Sequence, residues 1–183
     1  TLISLLGAID RPTKGRIFLH NEELSVLSDE ALALIRRKKI GFIFQDFNLI
    51  PRLSAWENVA YPLIPMVYNE KERKERAVAL LERLGLGKRI NHTPEEMSGG
   101  EQQRVSIARA LINNPEILIA DEPSSNIDAK AIENLISILT GLKEKGMTII
   151  ISTHDEVFYP HADIKINLKE GVLINIEQRT QRS

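Results

Sequence analysis

The chain has 183 residues, 43% hydrophobic and 27% charged, with 24 Lys+Arg against 25 Asp+Glu and a formal net charge of -1. At this length a chain hides roughly 70% of its unfolded surface, so a core forms without staples, and zero cysteines exclude disulfides, thiolate zinc sites and thiol nucleophiles. The near-neutral balance argues against a partner held through nucleic-acid phosphates, and no apolar run nears the roughly 18 residues that span a bilayer, so one soluble domain with a possible inserted subdomain is expected.

The run T-L-I-S-L-L-G-A-I-D at 1–10 places Leu2, Ile3, Leu5, Leu6 and Ile9 at helical spacing, and Asp10-Arg11-Pro12 stops it. Arg16–His20 reads as a short strand, followed by a polar link, a helix over about 28–38 and a strand over 40–44. From Gln45 to Met97 no convincing strand occurs. Ser54 and Asn69 each stand three residues before a glutamate, a helix-start pattern, and the second helix closes near Gly85. The dense charges of 71–76 read as a solvated helix face. Helices and strands then alternate: helix 101–113, strand 116–121, helix 129–145, strand 147–152, and a hairpin over 163–177 turning at Lys169-Glu170-Gly171. The uninterrupted apolar runs Ile117–Ala120 and Thr148–Ile151 suit a parallel sheet covered on both faces. The expected organisation is an α/β core over 1–44 and 98–183 interrupted by a helical subdomain over 45–97.

Asp121 and Glu122 end an apolar strand at the carboxyl edge of the sheet, where open α/β folds bind ligands. Alternation sends the two side chains different ways, so one can hold a metal while the other orients a water; from these residues alone, an acidic turn reads equally well. Ser98-Gly99-Gly100-Glu101-Gln102-Gln103-Arg104 combines a capping box with two glycines that leave helix-start amides uncovered, a setting suited to phosphate. Gln45 at a strand end and His154 after the strand ending at Ser152 are each as readily structural as functional when taken singly. Asp128 most simply caps the helix that follows it.

Together, Gln45, S-G-G-E-Q-Q-R at 98–104, I-L-I-A-D-E-P at 117–123, S-S-N-I-D at 124–128 and S-T-H-D at 152–155 resemble the nucleotide-binding domain of ATP-binding-cassette (ABC) transporters in order and spacing. They look like its Q-loop, signature, Walker B, D-loop and H-loop, and the match covers essentially the whole chain. The stretches Ile40–Pro51 and Asn113–Pro115 resemble the branch serving lipoprotein release, macrolide export and related permeases. The resemblance implies a P-loop NTPase-like α/β fold, a mostly parallel sheet flanked by helices with an inserted all-helical subdomain. It implies a transport-coupled ATPase with ATP and Mg²⁺ as cofactors. In that reading Asp121 and Gln45 serve the metal, and the catalytic set is Glu122, which polarises the attacking water, His154, which contacts the γ-phosphate, and Gln45, which ties the site to the helical insert. Ser98, Gly99, Gly100, Gln102 and Asp128 join the nucleotide-contacting set. The implied partners are a second such domain, paired head to tail as a homodimer, and a transmembrane permease. The implied location is cytoplasmic, peripheral on the inner face of the plasma membrane.

T-L-I-S-L-L-G at 1–7 resembles the helix that continues the family's phosphate loop, which assigns Thr1 to the cofactor site and places the loop's lysine before the first residue. The expectation is that the chain as given binds ATP poorly; the alternative is a partner subunit acting only as a binding or dimerisation module. Ser124-Ser125 stands where the branch usually has Thr-Gly, which raises the question of whether Ser125 disturbs the D-loop. A DNA-repair or chromosome relative would need a long coiled coil between Gln45 and Ser98, where only 52 residues intervene. A metal-dependent phosphohydrolase using His154-Asp155 with His161 or Asp163 lacks a further histidine-carboxylate cluster.

Overall fold

The computed structural model describes residues 2–66 and 68–179. The chain divides into two compact units, with the boundary along the sequence between Ser152 and Thr153.

The first unit opens with α1 (Leu2–Leu6), shorter than the periodicity suggests because Ala8 turns the chain at φ 54°. The strand expected over 16–20 is reduced to β1 (Phe18–Leu19), which pairs antiparallel with β2 (Glu22–Glu23). That second strand occupies what the sequence suggests is a polar link; the extended pairing continues where Leu24 N donates to Ile17 O at 2.8 Å. α2 (Asp29–Lys39) follows, with the Ser28 side chain accepting from Ala31 N. Two acids in its first turn and four bases in its last complement the helix dipole. Its buried Leu32 and Ile35 pack with Ala8, Leu24, Ile40 and Ile119.

β3 (Ile40–Ile43), β4 (Ile117–Asp121) and β5 (Thr148–Ser152) form a parallel sheet in that spatial order. Leu118, Ile119 and Ala120 of the middle strand have no exposure, which accounts for a run too apolar to alternate. Between β3 and β4 lie α3 (Ala55–Ala60), α4 (Glu70–Arg83) and α5 (Gly99–Leu111). Glu57 accepts from both the amide and the hydroxyl of Ser54, and Asn69 accepts from Glu72 N, so both expected helix starts form. Ala55, Val59, Leu63, Ala77, Leu81 and Leu86 make one core with Val105 and Ala108 of α5. The helix that opens with the Gly-Gly pair is therefore shared: one side closes the helical core, while the carbonyl of its Ala110 lies against Gly41 of β3. α6 (Ala129–Glu144) links β4 to β5.

The second unit holds a 3-10 segment over Glu156–His161 and a hairpin of β6 (Ile164–Lys169) and β7 (Val172–Gln178). Glu170 and Gly171 both take positive φ, 51° and 79°, the geometry of a two-residue turn matched to strand twist. Lys165 lies over the Tyr159 ring at 4.2 Å, and Arg179 donates to Pro160 O at 2.7 Å. No helix among the described residues is long and apolar enough to cross a membrane.

Candidate functional site

The parallel register sets Ile43 beside Ala120 and Asp121 beside Ser152. The chain therefore leaves β3 toward Gln45 and β4 toward Glu122 at one common edge. Gln45 is exposed, and Asp121 and Glu122 are half-buried. Glu122 adopts φ 44°, a left-handed backbone that costs a non-glycine residue about 1–2 kcal/mol. Two neighbours hold it there. Its amide donates to Ser152 O at 2.8 Å, and the Ser125 amide and hydroxyl donate to its carbonyl at 3.2 and 2.8 Å. Ser125 is absent from the positive-φ positions. The positive φ falls on Glu122, and the Ser125 hydroxyl supplies a bond that holds it.

α5 begins at Gly99, two residues earlier than the sequence suggests. Ser98 is the cap: its hydroxyl accepts from Glu101 N at 3.3 Å, while Glu101 accepts from Ser98 N at 2.9 Å. The amides of Gly99 and Gly100 fall in the first turn, where no intrahelical acceptor exists. The glycines have a packing reason as well. A Cβ on Gly99 would stand 2.8 Å from Asn126 O, and one on Gly100 2.9 Å from Ala131 Cβ. Gln102 Nε2 donates to Met97 O at 3.2 Å, and the buried Gln103 donates to Pro123 O at 3.0 Å. Asp128 accepts from Ala131 N at 2.8 Å, capping α6.

These contacts bring the start of α5, the loop 124–128 and the exit from β3 together. Asn126 is the hinge of that convergence: its side-chain amide donates to Gln45 O at 2.9 Å and to Asp46 Oδ1 at 3.2 Å. Arg109 of α5 donates to Asn48 O and Phe47 O at 2.5 and 2.6 Å, fixing two residues at φ 50° and 58°. Burial holds the Arg109 guanidinium below its ordinary range. Sequence reasoning missed Asn126, Gln103 and Arg109. A polar amide inside an already suspected loop was a usable signal for the first; the other two look like ordinary polar positions of a helix. His154 belongs to the second unit, where Asp155 N donates to Thr153 Oγ1 at 3.0 Å and the Asp155 carboxylate accepts from Val157 N at 3.1 Å. Thr1 lies outside the described residues.

Glu101 has its carboxyl lowered from the ordinary 4.5 to about 2, first by the Ser98 amide and then by Arg89, whose Nε donates to it at 2.8 Å. Because the folded value is the lower one, the resulting stabilisation is complete above about pH 4.5 and is lost as pH falls toward 2. The stability difference between the wild type and Glu101→Gln, measured by urea unfolding, is expected to shrink steadily across that window. A difference independent of pH from 6 to about 3 would contradict the ionised cap.

A profile of the ABC transporter family matches residues 1–125. An ABC transporter ATP-binding protein of Thermotoga maritima is 45% identical over 98% of this chain and 76% of its own length. The chain belongs to the ABC transporter family. Within it, the chain corresponds to the ATP-binding cassette. The macrolide export ATP-binding/permease protein MacB of Bdellovibrio bacteriovorus is 46% identical over 97% of the chain, which spans only 27% of that longer protein. Among solved structures, a dimeric cassette in a post-hydrolysis state with ADP and Pi superposes with a TM-score of 0.88 at 41% identity, over 97% of this chain and 78% of the other.

Proposed function

We propose that this cassette binds and hydrolyses ATP as one half of a head-to-tail pair that drives a membrane permease, in the export branch to which MacB belongs. The observation that carries the reading is the single edge at which Gln45, Asp121 and Glu122 emerge beside a helix start whose glycine amides lack helical acceptors. Ser98, Gly99, Gly100 and Gln102 face the phosphates held by the partner cassette, and Asp128 lies at the junction. Membership of the family also assigns nucleotide binding to Thr1 and a contact with the γ-phosphate to His154. The helical subdomain over 45–97 receives the permease on the cytoplasmic face of the membrane.

Asp121 and Gln45 provide oxygen donors at the ends of neighbouring strands, and no cluster of three or more His, Cys, Asp or Glu occurs among the described residues. That set fits Mg²⁺, which takes one or two carboxylates and completes its shell with phosphate oxygens and water. When bound, the ion neutralises charge on the phosphates. Glu122 orients the attacking water and accepts its proton, and its strained backbone fixes the direction of that carboxylate.

The head-to-tail pairing is tested by mixing two inactive variants of the full-length protein carrying this sequence, Glu122→Gln and Ser98→Arg. If each site takes Glu122 from one copy and Ser98 from the other, random pairing restores about a quarter of wild-type sites, whereas the two changes placed in one chain restore none. Absence of any recovery on mixing overturns the shared site.

A further inference from the structure

The start of α5 poses an electrostatic difficulty. The side chain that closes its capping box is Glu101, a full negative charge on the first turn of the helix proposed to meet a phosphate. A neutral glutamine would close the same hydrogen bonds without repelling the ligand. One Glu101 oxygen is occupied by the Ser98 amide at 2.9 Å and its hydroxyl at 3.1 Å; the other accepts from Arg89 Nε at 2.8 Å. Arg89 is no loose surface cation. Its amide donates to Leu86 O at 2.8 Å, and the following residues anchor the start of α3, with Trp56 N donating to Ile90 O at 3.1 Å and Ala55 N to His92 O at 2.9 Å. Arg89 Nη1 also meets His92 Nε2 at 3.2 Å. The guanidinium is thus held beside Glu101 from the helical subdomain, and Glu101 keeps only 18% of its side chain exposed.

We propose that Arg89 is a positioning residue that cancels the charge of Glu101, allowing a carboxylate-capped signature helix to accept a phosphate-bearing nucleotide. The inference rests on the reading of the signature as a phosphate site. Arg89 acts through its charge on Glu101 and not as a staple. Removing Arg89 while keeping Glu101 exposes an uncompensated carboxylate close to the nucleotide; removing Arg89 once Glu101 is neutral exposes nothing.

The test is a double-mutant cycle in the full-length protein, read as the ATP concentration giving half-maximal hydrolysis and as ATP-dependent dimerisation. Arg89→Ala is expected to raise half-saturation about ten-fold, with the defect shrinking as ionic strength rises. In the Glu101→Gln background the same removal is expected to cost less than about two-fold. Arg89→Lys, which keeps the charge but loses the planar fork, falls closer to the wild type than Arg89→Ala. Thermal melts of each variant identify unfolding, and Arg89→Lys carries the test if Arg89→Ala does not fold. Equal defects in the two backgrounds mean that Arg89 only staples the loop to α5, which overturns the proposal, as does an unaltered half-saturation for Arg89→Ala. A wild-type protein that neither dimerises with ATP nor hydrolyses it would instead overturn the functional reading beneath it.

Discussion

Glu122→Gln is expected to lower ATP hydrolysis by the full-length protein at least about a hundred-fold, within the 10²–10⁴ range of a positioned general base. Nucleotide binding should persist, and a dimer should accumulate. The substitution changes little except the proton affinity of one group. Glutamine matches glutamate in size and can still orient a water, but its amide cannot accept the proton. At φ 44° glutamine is as strained as glutamate, so the bonds to Ser152 O and from Ser125 retain their geometry. A hundred-fold loss corresponds to about 2.7 kcal/mol of barrier, which single-turnover phosphate release resolves easily. Sedimentation with and without ATP reports the dimer. Hydrolysis within a few-fold of the wild type would remove Glu122 from the proton-accepting role and leave Asp121 or His154 to be tested.

The parts of this site legible in the sequence are those in which a residue type acts through its own local chemistry. Ser98 three residues before Glu101 announces a cap, and Ile117–Ala120 running into Asp121 announces a buried strand that ends at a ligand edge. The illegible parts depend on a distant partner. Nothing in S-S-N-I-D says that Asn126 will reach Gln45, 81 positions away, because that bond exists only once β3 and β4 have paired. Positive φ at Glu122 is hidden for the same reason: glutamate has no taste for the left-handed region, and the strand and loop on either side impose it. Gly99 and Gly100 are readable as uncovered amides but not as packing sites, since the carbonyl that excludes a Cβ at Gly99 is that of Asn126, 27 positions away. Of the pair β1–β2 only the first strand is legible, because the two residues Glu22–Glu23 carry too little pattern to alternate.

The same dependence on distant neighbours makes Gly41→Ala the stability test of how α5 is seated. A Cβ there would lie 2.5 Å from Ala110 O, 3.2 Å from its carbonyl carbon and 3.1 Å from Pro115 Cγ. Neither side yields readily. β3 is locked to β4 by four register pairs, and α5 is held in the helical core by Val105 and Ala108, with Ile112 just past its end. Overpacking against backbone costs about 1–3 kcal/mol, offset by about 0.4–1 kcal/mol for the freedom that alanine removes from the unfolded chain. The expected net loss is about 1–2 kcal/mol, a fall in Tm of about 2–8 °C for a chain of this size. Gly141 supplies the opposite sign. It lies inside α6 with nothing within 4 Å of its missing Cβ, so Gly141→Ala should stabilise by about 0.5–1 kcal/mol. Because Gly41 leads to Gln45 on one side and supports the helix capped by Ser98 on the other, its variant should also lose ATPase activity at temperatures well below its own melt. A Gly41→Ala protein as stable as the wild type would mean that α5 does not rest on β3 at Ala110, and the shared edge on which the proposed function depends would have to be redrawn.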